Sequence, residues 1–176
     1  ANVASDVKLA LVKYKHSKGI ILDLRDNPGG LINEAVDLAS LFLGDGTIVS
    51  YSRKGESDVL LASHNQSADA SPMTVLINRS TASSAEVVTG ALQDRNRAVI
   101  LGEKSYGKGT VQEISNLSDG SQLEITIGKY RTPSGRIIDQ IGITPDLLVS
   151  DNEVIAKSVQ VLGGLASIED KGQVKK

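Results

Sequence analysis

Two strand-to-helix junctions constrain this chain more than any other feature of its sequence. In the first, the apolar run 19–24 (GIILDL) ends in the turn 26–30 (DNPGG), after which a helical pattern begins. In the second, the run 73–78 (MTVLIN) ends in 78–86 (NRSTASSAE), which also opens a helix. A buried strand, a turn of small residues and a helix N-terminus together direct backbone N–H groups into one crevice. Such a crevice stabilises anionic groups or developing oxyanions.

The remaining pattern alternates strands and helices, which indicates an α/β core. Helices are predicted where apolar residues recur at helical spacing, over 7–17, 31–43, 83–94 and 153–162. Strands are predicted over 19–24, 47–51, 73–78, 97–103 and 123–130. Ser5 and Asp6 are expected to cap the first helix, and the polar stretch 53–71 is expected to be a loop. Residues 1–150 would then form the core, with a C-terminal helix and a polar tail over 151–176.

Composition excludes several classes of function. The 19 basic and 21 acidic residues nearly balance, and only 3% of the residues are aromatic. A broad nucleic-acid-binding surface or a base-stacking platform is therefore not expected. The absence of cysteine excludes thiol nucleophiles, thiolate metal sites and disulfides. No run of 18 apolar residues occurs, so no membrane span is expected in this chain.

The segment GEKSYGKGT (102–110) matches two known motifs, and both matches fail on physical grounds. It begins like a phosphate-binding loop, G-x-x-x-x-G-K, but the next residue is Gly109 rather than the required Ser or Thr. Glu103 would repel a phosphate, and the residues after Gly109 are β-branched, which disfavours the helix that such a loop needs. Ser105 and Lys108 also spell S-x-x-K, a motif that requires a helix, and the flanking glycines break one.

Chemistry at the second junction would need a hydroxyl nucleophile and a base beside it. The candidate hydroxyls belong to Ser80, Thr81, Ser83 and Ser84. The two histidines, His16 and His64, lie in polar surroundings and are expected to be exposed rather than part of a Ser-His-Asp triad. A lysine is the remaining base, provided that desolvation or neighbouring positive charge lowers its pKa. Lys108 fits if its turn holds it out of solvent, and the alternative is an exposed turn lysine.

Four motifs in order resemble the carboxyl-terminal processing (tail-specific) proteases, a family of Ser/Lys endopeptidases. They are GIILDLRDNPGG (19–30), VLINRSTASSAEVVTGALQDRNRAVILGEKSYGKGTVQ (75–112), DGSQLEITIGKYRTPSGR (119–136) and GITPD (142–146). The resemblance extends from about residue 19 to residue 146. It implies an endopeptidase that forms an acyl-enzyme and needs no metal, nucleotide or other cofactor.

The resemblance also implies a role for individual residues. The family pattern places the nucleophile at Ser83, with Ser84 as a minor rival because Ser84-Ala85 reverses the commonest order. Lys108 lies in the family's G-K-G turn and would be the general base, oriented by Gln112. Backbone N–H groups of Gly29 or Gly30 and of Ser84 would form the oxyanion hole. Asn78 and Glu86 are expected to fix the turn, and Asp23 and Arg25 to pair inside the core.

The family's fold is a spiral of strand–helix units, related to crotonases and the Clp protease. Its members carry a PDZ domain before the core, which binds the substrate's C-terminal tail. That domain and the segment before the first helix are not found in this sequence, so the chain is expected to be a core fragment. Polypeptide substrates, an extracytoplasmic location and possible homo-oligomers follow from the resemblance. The alternative is a catalytically incompetent fragment that acts as a scaffold or assembly module.

Overall fold

The computed structural model describes the backbone of residues 2–53 and 55–173 and the side chains of these residues up to 168. The helices are α1 Val3–Lys13, α2 Ile32–Ser40, α3 Ser84–Asp94 and α4 Val154–Gln173. The strands are β1 Ile20–Asp23, β2 Gly46–Tyr51, β3 Val59–Ser63, β4 Met73–Ile77, β5 Val99–Gly102, β6 Thr110–Asn116, β7 Gln122–Arg131 and β8 Leu147–Leu148. None of the helices in this described part is long and apolar enough to cross a membrane.

The strands form two sheets. The first is parallel, in the order β1-β4-β5-β8, and the second is antiparallel, in the order β3-β2-β7-β6. Every residue of β4 is buried, which explains its unbroken apolar run, because a central parallel strand is covered on both faces. The predicted α/β class is confirmed.

Helix α3 lies at the centre of the molecule. All residues from Ser84 to Leu92 are buried, and α3 packs against α2 and against strands of both sheets. The main apolar cluster joins α2, α3, the strands and the segment after α2 that carries Phe42. Because its surroundings fix it on all sides, the N-terminus of α3 is held rigidly relative to both sheets.

The first helix differs from its prediction. It begins at Val3 rather than residue 7, so Ser5 and Asp6 lie inside its first turn and do not cap it. Asn2 occupies the N-cap position and makes no side-chain hydrogen bond there. The helix begins early because Ala4 is already one of the residues that pack against the core. Tertiary packing thus extends the helix past the polar pair that would otherwise start it.

Two further boundaries were wrong. The segment 53–71, expected to be a loop, contains β3, whose five residues pair with β2 and add an edge strand to the antiparallel sheet. The polar residues on both sides of β3 made the whole segment resemble a loop, although it contains this short run of apolar residues. The C-terminal helix, expected over 153–162, continues through Gly163 and Gly164 to Gln173, and residues 174–176 of the polar tail lie outside the described residues. The division at residue 150 stays a prediction.

The turn 132–135 (TPSG) is anchored to the end of α3. Ser134 N–H donates to Asp94 Oδ2 at 2.9 Å, and Arg136 donates to the other oxygen. Burial raises the pKa of the Asp94 carboxyl, but the hydrogen bonds from Ser134 and Thr132 outweigh it and leave the pKa below its ordinary value. The anchored turn holds Thr132 against Gly90 in the middle of α3, where a Cβ on the glycine would lie 2.6 Å from Thr132 Cγ2.

The packing at Gly90 can be tested with matched substitutions. Gly90→Ala places a methyl group against the stiff, buried Thr132 side chain, and we expect it to lower the free energy of unfolding by about 1–3 kcal/mol. Gly163→Ala is the control, because a Cβ there meets nothing within 4 Å and the substitution improves helix propensity. It should raise the free energy of unfolding by up to about 1 kcal/mol. Urea denaturation followed by circular dichroism measures both, and equal shifts in the two variants would contradict the packing.

Candidate active site

Ser83 lies at the N-cap of α3 in a left-handed backbone conformation, with φ 56° and ψ −125°. Such a conformation costs a non-glycine residue of the order of 1–3 kcal/mol and persists only where its surroundings hold it. Part of that restraint is the hydrogen bond from Ser83 N–H to Glu86 Oε2, at 2.9 Å. The serine is partly exposed, whereas Ser84 beside it is buried. The hydroxyl at 83 is thus presented at a sharp turn between β4 and α3.

The two junctions predicted from sequence meet in space, and Asn78 joins them. Its Oδ1 accepts hydrogen bonds from Asp26 N–H at 3.0 Å and Ser80 N–H at 3.1 Å, and its Nδ2 donates to Asp26 Oδ1 at 3.0 Å. Thr81 Oγ1 donates to Leu24 O at 2.7 Å. The expected role of Asn78 in fixing the turn is confirmed, and its contacts reach the first junction as well.

Gly29 packs directly against the turn at Ser83. Its φ is 94°, and a Cβ there would lie 2.8 Å from both Ala82 O and Ser83 Cβ and 2.9 Å from Ser84 N. No side chain fits in that space, so the DNPGG turn needs glycine at this position. The close approach brings the backbone of residues 29 and 30 alongside Ser83 and Ser84.

Glu86 is fully buried. It joins the turn at Ser83 to the lysine loop, which is the segment 103–109 that carries Lys108. Its Oε2 accepts from Ser83 N–H and Lys108 N–H, each at 2.9 Å, and its Oε1 accepts from Ser105 Oγ and from Gly107 N–H at 2.7 Å. The two nitrogens on Oε2 are therefore at most twice 2.9 Å apart. The expectation that Glu86 fixes the turn is confirmed. No pattern in the sequence predicted its contact with the lysine loop, which lies some twenty residues further along the chain.

The loop 103–109 connects β5 to β6 and contains no helix. A phosphate-binding loop requires a helix after it, so that interpretation stays excluded, as does S-x-x-K, since Ser105 is buried and donates to Glu86. Glycine is required on both sides of the lysine. Gly107 has φ 91°, and a Cβ on Gly109 would lie 2.2 Å from Asp139 N. The backbone of this loop thus packs closely between Glu86 and the segment 138–142.

The expectation that the turn holds Lys108 out of solvent is wrong, because its side chain is exposed. The flanking glycines bury the backbone of the loop and leave the side chain pointing outward. Across the described residues, no hydrogen bond joins Lys108 Nζ to Ser83 Oγ. Gln112 is also exposed, on β6 after an irregularity between Val111 and Gln112, and opposite Thr126. Such irregularities redirect side chains beside active sites, and the role of Gln112 stays a prediction.

Two of the three expected oxyanion-hole N–H groups already have partners. Gly29 N–H donates to Asn27 Oδ1 at 2.9 Å, and Gly30 N–H donates to Ser84 Oγ at 2.7 Å. The N–H of Ser84, at the first residue of α3, belongs to the helix N-terminal groups that lack an intrahelical acceptor. All three groups surround Ser83, and their catalytic role stays a prediction.

Asp23 and Arg25 pair as expected, but not in the core. Arg25 Nη2 lies 2.6 Å from Asp23 Oδ2, and the Asp23 side chain is 43% exposed. The hydrogen bond from Arg25 lowers the pKa of Asp23. The pair is exposed because β1 is an edge strand of the parallel sheet and ends there.

His16 and His64 are both exposed, as expected.

Comparison with known proteins identifies the family. The model of peptidase family S41 matches residues 1–149. This chain belongs to peptidase family S41. A carboxyl-terminal-processing protease of Synechocystis is 42% identical over 152 residues, and a carboxy-terminal-processing protease of Bartonella bacilliformis is 47% identical over 134 residues. These alignments cover 85% and 75% of this chain but only 35% and 31% of the relatives. The chain thus spans about a third of the length of these relatives.

A solved structure supports the same assignment. The photosystem II D1 C-terminal processing protease is 35% identical and superposes with a TM-score of 0.79, over 85% of this S41 chain and 40% of that one. The similarity therefore extends through both sheets and the helices between them. The resemblance drawn from the four sequence motifs is confirmed at the level of the family.

The linking role of Glu86 can be tested by Glu86→Gln. An amide turns one acceptor oxygen into a donor, so whichever oxygen is replaced, at least one hydrogen bond from a backbone N–H to this side chain is lost. We expect the free energy of unfolding to fall by about 2–5 kcal/mol. The control is Glu103→Gln, which removes an ion pair to Arg79, a side chain that is 85% exposed. It should cost less than about 1 kcal/mol, and a similar cost for both variants would contradict the role of Glu86.

Proposed function

We propose that this S41 chain is the catalytic core of a serine endopeptidase that cleaves polypeptides near their C-termini. The observation that carries the proposal is the bridge made by Glu86, which holds the backbone of Ser83 and of Lys108 on one carboxylate oxygen. A strained N-cap serine beside a lysine-bearing loop is the arrangement that a Ser/Lys mechanism needs. The names of the relatives, all C-terminal processing proteases, support the substrate class.

The proposed steps use these groups in turn. The free amine of Lys108 takes the proton of Ser83 Oγ as that oxygen attacks the scissile carbonyl carbon. The tetrahedral intermediate collapses, its C–N bond breaks, and Lys108 returns the proton to the leaving amine. Water then hydrolyses the acyl-enzyme by the reverse proton transfers. The negative oxygen of each intermediate is stabilised by N–H groups of Gly29 or Gly30 and Ser84 and by the positive end of α3.

The proposal requires the Lys108 side chain to turn inward. Its backbone nitrogen and that of Ser83 share one acceptor, and a side chain of four methylene groups spans a gap of that size. Exposed lysines change rotamer within nanoseconds, so the movement is not limiting. Bound substrate would cover the site and exclude water from around the amine. Gln112, on the next strand, is proposed to hold the amine without adding negative charge.

A cavity of about 250 Å³ lies beside the proposed oxyanion hole. Gly29, Gly30 and Ser84 form one wall, and its apolar walls come from Leu24, Ala35, Leu38, Ala85 and Val88. We propose that it receives an apolar side chain of the substrate, because burying apolar surface is favourable by about 25 cal/mol for each Å² that is removed from water.

A location outside the cytoplasm, in the bacterial periplasm or envelope, is proposed from the family resemblance.

The second candidate function is that of an incompetent core that serves as a scaffold. Two observations favour it: Lys108 Nζ has no hydrogen bond to Ser83 Oγ across the described residues, and Gly29 and Gly30 N–H donate to side chains of the protein. Reaction with a fluorophosphonate probe separates the two. A folded wild-type chain that is neither labelled nor able to cleave an unfolded polypeptide would support the scaffold.

The nucleophile assignment predicts that Ser83→Ala abolishes fluorophosphonate labelling, because no second hydroxyl in the described part of the chain lies at a helix N-cap beside the proposed oxyanion hole. Ser80→Ala is the control, since Ser80 belongs to the same turn and is exposed. Its labelling should equal that of the wild type. Labelling that survives in Ser83→Ala but is lost in Ser84→Ala would transfer the nucleophile to Ser84.

The base assignment predicts that Lys108→Arg lowers kcat by at least about 100-fold. Arginine keeps the positive charge and the length of the side chain, but it does not give up its proton in a protein, so it cannot act as a base. The control is Lys104→Arg, an exposed lysine of the same loop, which should change kcat less than twofold. Equal kcat values for the two variants would eliminate Lys108 as the base.

A further inference from the structure

One hydrogen bond near Ser83 joins a proposed oxyanion donor of the first junction to a side chain of the second. Gly30 N–H donates to Ser84 Oγ at 2.7 Å, across 54 residues of sequence. Ser84 is 7% exposed, and it is one of the residues that line the cavity beside the proposed oxyanion hole. Among the described residues, this N–H is the one hydrogen-bond partner of that hydroxyl. The bond therefore ties the first junction to the first residue of α3.

The two glycines of the DNPGG turn are restrained in different ways. Gly29 is held by packing, because a Cβ there would meet Ala82 O, Ser83 Cβ and Ser84 N at 2.8–2.9 Å. At Gly30 a Cβ would meet nothing within 4 Å. No close contact of this kind restrains Gly30, and its N–H is directed by the hydrogen bond to Ser84 Oγ.

We propose that Ser84 is a positioning residue that holds Gly30 N–H in the resting site and releases it to the oxyanion during the reaction. This inference rests on the proposed function. A backbone N–H has a single hydrogen to donate, so the Gly30 N–H that donates to Ser84 is not fully available to a second acceptor. The oxyanion takes over the donor because hydrogen bonds to a charged oxygen are about twice as strong as those to a neutral one.

Competition between the hydroxyl and the oxyanion has a definite consequence for Ser84→Ala. Without the hydroxyl, Gly30 N–H has no side-chain partner to give up when the tetrahedral intermediate forms. Binding of the oxyanion should then improve by the value of one neutral hydrogen bond, which corresponds to a factor of about two to ten. Alanine favours helix and is smaller than serine, so the variant is expected to fold.

The experiment measures the restraint and the competition separately in the full chain. Amide hydrogen exchange, read by NMR, reports on Gly30 N–H without any catalysis, and Ser84→Ala should exchange about tenfold faster there. The affinity for a tripeptide aldehyde of alanine reports on the oxyanion, because Ser83 adds to the aldehyde carbon and leaves a negative oxygen. Ser84→Ala should bind the aldehyde about two- to tenfold more tightly, with unchanged affinity for the matching tripeptide amide.

A control variant separates this role from a general effect of losing a buried hydroxyl. Thr89→Val removes an equally buried hydroxyl from α3, one that donates to Ala85 O at 2.8 Å and touches neither glycine. It should leave both Gly30 exchange and aldehyde affinity as in the wild type. Weaker aldehyde binding by Ser84→Ala would overturn the inference, because the hydroxyl would then be a donor to the oxyanion. Unchanged Gly30 exchange in Ser84→Ala would overturn it as well.

Failure of the proposed function gives a different pattern. In that case the aldehyde binds neither the wild type nor Ser84→Ala, so the two variants do not differ in affinity. The release of Gly30 N–H to an oxyanion is then wrong, and only the faster exchange in Ser84→Ala would remain as evidence of a restraint.

Discussion

The carboxylate of Glu86 is the interaction on which the rest of the site depends. Removing a carboxylate from water costs several kcal/mol unless its oxygens accept enough hydrogen bonds, and Glu86 accepts four from two separate loops. Because Glu86 is the third residue after the helix N-cap, helix geometry alone places its side chain back over Ser83. The lysine loop is then positioned against that same turn of α3. The backbones of the proposed nucleophile and of the proposed base therefore share one rigid reference.

The surroundings of Ser83 show how a strained residue is kept in place. Its left-handed conformation is held from one side by Glu86 and from the other by the close packing of Gly29. Asn78 and Thr81 hold the turn that leads to it. The strain is compensated by contacts throughout the crevice, so the hydroxyl is presented without freedom to collapse into the helix. The exposed Lys108 side chain contrasts with this rigidity, and it is the part of the proposed mechanism that must move.

Local patterns predicted the parts of the structure that depend on local physics. Buried apolar runs such as β4 and the helix after Ser83 were identified because their period and their small-residue turns are visible in sequence. The strand β3 was missed because its apolar residues are few and its stability comes from pairing with β2. The reach of Glu86 to residues 105–108 and the outward direction of Lys108 depend on how two loops pack, and no short stretch of sequence contains that information. The family resemblance supplied residue roles, but it could not supply these contacts.

The order of the parallel sheet has a consequence for how the site comes into existence. Strand β4 lies between β1 and β5, so the loops that follow three neighbouring strands meet at one edge although they are far apart in the chain. No fragment of the sequence contains the arrangement, and it forms only when the central strands have paired in register. On the proposed mechanism, an incompletely folded chain is chemically inert. A newly made molecule therefore cannot cleave itself or its neighbours before its own sheet has formed.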